Sequence, residues 1–174
     1  MANTWTAYYL GVAFAATKNM AAVLNGNAGG RVIRIKRVGL INAQTAAVSG
    51  VVCSTELRRY TGATLSGNTA VTPVAHDTNN SALATITTGH AGTIVGTPST
   101  LRRWIWSSDE AKVTTAQNNE WETLVPLNIV YDSYGDTTVQ PLALRGTAEE
   151  IMVYNVSGAA GLLDTWIEFL DEAS

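Results

Sequence analysis

Apolar and polar positions alternate along most of this chain with the two-residue period of half-buried strands. The alternation predicts strands at Thr4–Ala16, Met20–Leu24, Arg31–Asn42, Val51–Tyr60, Ala82–Thr88, Leu101–Ser107, Glu122–Tyr131, Val139–Leu144, Glu149–Val156 and Leu162–Leu170. Within Arg31–Asn42 the phase changes. Ile33 and Ile35 alternate with Arg34 and Lys36, and then Val38 and Leu40 carry the apolar role on the other parity. Such a slip predicts a bulge, or a strand covered on both faces. Breaks fall at Asn25–Gly30, Thr61-Gly62, Gly89, Gly92, Gly96, Pro98, Gly135, Gly146, Gly158 and Gly161. Glycine and asparagine accept positive φ, and proline interrupts a ladder. Helical periodicity is confined to one turn at Asp109–Gln117, capped by Ser108. Residues 61–81 are turn-prone and contain Pro73, so they predict a long excursion with at most one short edge strand. Loops of that length are commonly functional or lie against a partner.

Eight to ten short strands separated by turns, with no internal repeat and no linker, predict one all-β domain over residues 1–174. The simplest architecture is a two-sheet antiparallel sandwich of jelly-roll type.

Charge changes the picture. Only 14% of residues are Asp, Glu, Lys or Arg, against a usual level of about a quarter. Small neutral polar residues replace them, which suits a surface packed against neighbours where each charge must be paired or desolvated. The net charge of -3 hides an asymmetry: residues 1–108 carry nine basic and two acidic side chains, and residues 109–174 carry two basic and twelve acidic ones. Either the halves form faces of opposite sign that meet between copies, or they interleave and neutralise one another within one sandwich. The single cysteine, Cys53, excludes an intrachain disulfide and reads as a buried thiol in a strand. Tyr8–Ala16 is too short for a membrane span and lacks the flanks of a signal peptide, so synthesis in a reducing cytoplasm with no membrane partner is expected.

A catalytic centre needs a nucleophile beside an oriented base. His76 neighbours Asp77, but adjacent residues in an extended chain point to opposite faces. His90 lies in a turn. The G-x-S-x-G and H-E-x-x-H patterns do not occur, so no enzymatic activity, cofactor or metal is expected. Asp132 and Asp136 flank Gly135 in the best calcium-like spacing, which a hairpin turn explains equally. Gly26–Gly30 is glycine-rich, but no lysine-threonine follows it as a phosphate loop requires. The pairs Arg58-Arg59 and Arg102-Arg103, with Tyr60, Trp104 and Trp106 beside them, combine cations with flat rings as single-strand binders do. An acidic pI near 5.3 argues against nucleic acid, since such domains are strongly basic. In a strand one arginine of each pair faces inward or toward a partner, which favours a subunit contact made with carboxylates. Trp104, Trp106 and Trp121 are the candidate platforms for an alternative, a carbohydrate-binding module, though tryptophans equally fill cores and interfaces.

The stretch Leu57–Asn80, with its Ser66-Gly-Asn-Thr-Ala-Val-Thr-Pro-Val and Asp77-Thr-Asn-Asn80 runs, resembles a segment of small structural proteins of tailed bacteriophages. The close of the chain, Leu144-Arg-Gly-Thr-Ala-Glu-Glu-Ile151 followed by Thr165-Trp-Ile-Glu-Phe169, is similar to the end of the same proteins. The resemblance covers about half the chain and rests on turn chemistry and strand patterns. It implies a head decoration or cement protein: a homotrimeric jelly roll, made in the host cytoplasm and carried on the virion, that binds the major capsid protein. By position, residues 61–80 (with Pro73 and His76) and the N-terminal segment are the expected shell contacts. The strands bearing Arg58, Arg59, Arg102, Arg103 and Trp104 are the expected contacts between copies.

Overall fold

The alternating pattern folds into strands alone. A computed structural model describes residues 3–27, 30–43, 51–83, 85–108, 128–135, 138, 140–157 and 161–173, and no helix occurs among them. The strands are β1 (Asn3–Ala13), β2 (Lys18–Asn25), β3 (Arg31–Asn42), β4 (Val51–Ser66), β5 (Thr69–Ala70), β6 (Val74–Ala75), β7 (Ile86–His90), β8 (Thr93–Ser108), β9 (Asn128–Asp132), β10 (Ala143–Arg145), β11 (Glu149–Asn155) and β12 (Leu162–Ala173). They build two six-stranded sheets that pack face to face as a β-sandwich. The first runs β10-β3-β12-β1-β6, with β9 beside β10 on the same edge of β3. The second runs β5-β7-β2-β11-β4-β8. Every pairing is antiparallel, the first and last long strands are neighbours, and β1 to β4 alternate between the sheets.

Side-chain parity decides what each sheet buries. In β12, Leu163, Ile167 and Phe169 point inward and are fully buried, while Asp164, Trp166 and Glu168 occupy the opposite face. From β1 come Ala7 and Tyr9, from β3 Ile33, Ile35, Val38 and Leu40, and from the second sheet Ala21, Val23, Leu57, Ile151 and Val153. The phase change in β3 is a bulge: Glu168 pairs with Arg37 and Phe169 with Ile35, so Lys36 is skipped and both apolar runs face the core. Polar groups inside the core are tied down. Tyr9 donates its hydroxyl to the Ala22 carbonyl at 2.6 Å. Asn25 donates to the Arg31 and Leu144 carbonyls at 3.1 and 3.0 Å and accepts from the Asn27 amide at 3.0 Å, fixing the β2–β3 connection.

Several stretches depart from the sequence pattern: β7 spans the expected break at Gly89 and takes in His90, and residues 82–83 and 140–142 lie outside strands. The strand expected at Leu101–Ser107 begins at Thr93 and passes through Gly96 and Pro98. β8 is the edge of its sheet, so Pro98 removes no ladder bond. Of the expected excursion at 61–81, residues 61–66 instead continue β4 through the expected break at Thr61-Gly62, and the remainder holds two short strands rather than one: β5 joins β7 in the second sheet and β6 joins β1 in the first. This segment therefore straps one open edge of the sandwich. The Asp109–Gln117 turn, Trp121 and Asp136 lie outside the described residues, as do the side chains of Cys53 and Trp106.

The β4–β8 ribbon bends out of its sheet. Its register shifts between Thr61 and Thr64, where Gly62 takes a φ of 61°. Ala63 donates its amide to Ala148 beside the start of β11, and Leu65 comes to Gly92 near Asn19 at the far end of β2. The ribbon thus crosses the outer face of the second sheet. There Ala63, Leu65 and Ile94 cover Ala22, Tyr60 and Met152 in a second apolar cluster.

Candidate association surface

The two outer faces differ: the second sheet is covered by its own ribbon, and the first is open. Parity places Thr6, Tyr8 and Leu10 of β1 on that open face, with Trp166 and Glu168 of β12 and Gly39 and Ile41 of β3. Register then aligns Tyr8, Trp166, Gly39 and Ile129 in one row across four strands. Trp166 lies flat on Gly39, where an added Cβ would sit 2.1 Å from its Cζ2 atom. No other residue leaves room for the ring. Tyr8 stacks beside it at 6.1 Å between centroids and 23° between planes. Thr6, Tyr8, Ile41 and Trp166 line a shallow, almost wholly apolar depression of about 240 Å³. Exposure reaches 42% at Tyr8, 66% at Leu10 and 42% at Ile129, so a continuous apolar strip faces outward.

The next row along the sheet is polar. Thr6, Glu168, Arg37 and Asp132 align across the same strands. His76 shares a 2.6 Å hydrogen bond between Nε2 and Thr6 Oγ1 and lies 4.0 Å from Glu168. Arg37 donates to Asp132 from Nε and Nη2 at 3.2 and 2.9 Å. The Tyr134 amide and this guanidinium hold the Asp132 carboxyl below the usual carboxylate range. Lys36 and Arg37 each lie 4.8 Å from the Tyr134 ring centroid. A half-apolar strip with a polar rim is the arrangement of a protein-binding patch.

The residues singled out in the sequence fall in two places. Pro73 sits on the strap between β5 and β6 and His76 directly follows β6, which pairs with β1, so His76 and the 66%-exposed Val74 flank the open face. The arginines lie on the second sheet, engaged within the chain. Arg58 donates to Glu56 at 2.6 Å and covers the Tyr154 ring at 3.8 Å. Arg59 donates to Glu149 at 2.7 Å. Arg102 reaches from β8 to the Val130 carbonyl of β9 at 2.9 Å, strapping the other open edge. Arg103 donates to Ser54 at 2.9 Å and lies 3.5 Å from Glu56, with 60% of its side chain exposed. Burial pushes the Glu56 carboxyl up, but bonds from Arg58 and Thr100 and the two guanidinium charges bring it below its ordinary value. Trp104 is half-buried against the main core, which removes it as an open platform for a sugar.

The histidines are held by different neighbours from those that the sequence set beside them. His76 bonds Thr6 rather than Asp77, and Asp77 instead caps its own turn through the Asn79 amide at 2.9 Å. His90 meets Tyr9 edge-on at 6.5 Å, and burial lowers its pKa. Among the described residues, no group of three or more His, Cys, Asp or Glu is placed to hold a metal ion. No described helix is long and apolar enough to cross a membrane. Tyr8, Trp166, Ile41 and Ile129 were not singled out from the sequence, although the inward run of Leu163, Ile167 and Phe169 already put Trp166 on the outward parity. Comparison with protein-family models, curated proteins and solved structures returned no match.

Proposed function

We propose that this chain is a structural protein of a tailed-bacteriophage virion, a decoration or cement protein that binds the shell of major capsid protein and stabilises the head. The observation that carries this reading is the uncovered Tyr8–Trp166 strip, flanked by the strap that bears Pro73, Val74 and His76. The N-terminal strand and residues 61–80, expected from the resemblance to meet the shell, border one another there. We take the strand order β1-β12-β3-β9/β10 over β2-β11-β4-β8 as that of a jelly roll. Copies join as a homotrimer through the β8 edge, where Leu101 is 39% exposed near Arg103. Three copies on a local three-fold point place three modest contacts at high effective concentration, so a small strip per chain suffices.

Rebinding to heads stripped of their decoration tests the reading. Wild-type protein sediments with the shell, and Tyr8→Asp or Ile129→Asp reduces binding at least tenfold with unchanged circular dichroism. Equal binding by both variants overturns it. The near-parallel Tyr8 and Trp166 rings favour one second reading, carbohydrate binding by ring stacking. Glycan-array signal lost in Tyr8→Ala, with no shell binding, would establish that reading instead.

A further inference from the structure

The covered face of the second sheet holds a group that the association surface does not use. Glu150 points outward from β11 between Leu24 of β2 and Tyr60 of β4, one register step from Met152. It is 0% exposed, and neither carboxyl oxygen has a hydrogen-bond partner. Buried polar atoms are normally paired, and a bare buried carboxylate is among the most costly groups a fold can hold. The foot of the β4–β8 ribbon is pinned beside it by the Ala63 amide on the Ala148 carbonyl at 2.8 Å.

Among the described residues no cation is recorded against this carboxyl. On β4 the nearest charge is Arg58, already committed to Glu56 and the Tyr60 hydroxyl. On β11, Glu149 holds Arg59 and the Arg145 amide. On β2 the facing residues are Ala22 and Leu24, and Lys18 lies at the opposite end, paired with Asn155. The ribbon segments 62–66 and 93–97 contain no charged residue. From the core side only the Tyr9 phenol bears on Glu150, and it is neutral because burial raises its pKa. Burial pushes the Glu150 carboxyl up to about 7.

The ribbon arches between two anchors: its foot is held by the Ala63 amide on the Ala148 carbonyl, and its tip by the β5–β7 pairing and the Gly92 amide on Asn19 Oδ1 at 2.8 Å. It joins the sheet through Gly62 at a φ of 61°, passes Gly96 at 143° and turns back at Gly67 at 62°. Its contact with the sheet beneath is the small second cluster rather than the main core. We propose that Glu150 is a proton-operated latch for this ribbon. As the neutral acid it lets the ribbon lie on β2, β11 and β4. As the carboxylate it favours a raised ribbon that hydrates the charge and uncovers Ala22, Tyr60 and Met152. The raised and lowered states differ in proton affinity, so a rise in pH shifts the population toward the raised one. This goes beyond the association reading and uses the opposite face of the sandwich.

Amide hydrogen exchange at Ala63, Leu65 and Ile94, corrected for the intrinsic rate and referenced to Val153 and Ile167, tests the latch. In wild type the ribbon's opening constant should rise about tenfold per pH unit between the ordinary glutamate range and about 7, level off above that, and exceed the opening constant at the reference amides throughout. In Glu150→Gln that rise should vanish. A pH-independent wild type, or the same rise in the glutamine variant, overturns the proposal. Carbon-13 carboxyl NMR of the wild-type chain provides a reading that no variant's folding can obscure. A Glu150 midpoint in the ordinary carboxylate range also overturns it.

Discussion

Gly39 and Trp166 are a matched pair: the ring occupies the space that any side chain at residue 39 would need. Gly39→Ala sets a methyl 2.1 Å from Cζ2, so the indole must leave its seat, with a loss on the order of 1–3 kcal/mol. Denaturant unfolding should show that loss in the wild-type background and little of it in Trp166→Ala. Equal losses in both backgrounds would mean that the contact does not set the cost. Two of the three perturbed carboxyls, Glu150 and Asp132, carry opposite pH signatures. Glu150 is raised above its unfolded value, so its favourable contribution is present at low pH and is lost as pH rises through about 7. Glu150→Gln should therefore flatten the decline in stability between the ordinary glutamate range and about 7, and exceed wild type at mildly alkaline pH by on the order of 1–3 kcal/mol. Asp132 is depressed, so its contribution is present above the ordinary aspartate range and fades as pH falls. A pH series of urea midpoints checks both signs.

At the scale of elements, the strand pattern was legible because parity is a local property. The shift from Ile33 and Ile35 to Val38 and Leu40 announced the bulge at Lys36 before any partner strand was known. The association strip was half legible. Tyr8 and Trp166 each stood on an outward parity, but only the β1–β12 register brings them together. The arginine pairs were conspicuous in sequence, yet their carboxylate partners lie within the chain, at Glu56 and Glu149. The reach of β8 through Gly96 and Pro98 was not legible, because those residues break a central strand and are tolerated at an edge. The same edge carries the element-scale prediction. Light scattering of the wild-type chain should give three chain masses, and Leu101→Glu or Arg103→Glu should give one. A wild-type monomer at high concentration would contradict the β8 contact.

Across the whole molecule, the basic first part and acidic second part interleave. Among the described residues, Arg31, Arg34, Arg37 and Arg59 pair with Asp171, Glu172, Asp132 and Glu149, so these charges of the two parts meet within the sheets. Pairs of this kind, partly exposed, contribute about 0–1 kcal/mol each, and the sandwich should lose little stability in strong salt. What remains to face a neighbour is apolar. One outer face is closed by the chain's own ribbon, and the other, which no described element covers, is the face proposed to meet the shell. Electron microscopy of the decorated head tests that division of faces most directly. The account predicts density in which Tyr8, Trp166 and Ile129 lie against the shell and three β8 edges meet around an axis. A sandwich whose β1–β12–β3 face points to solvent would contradict it.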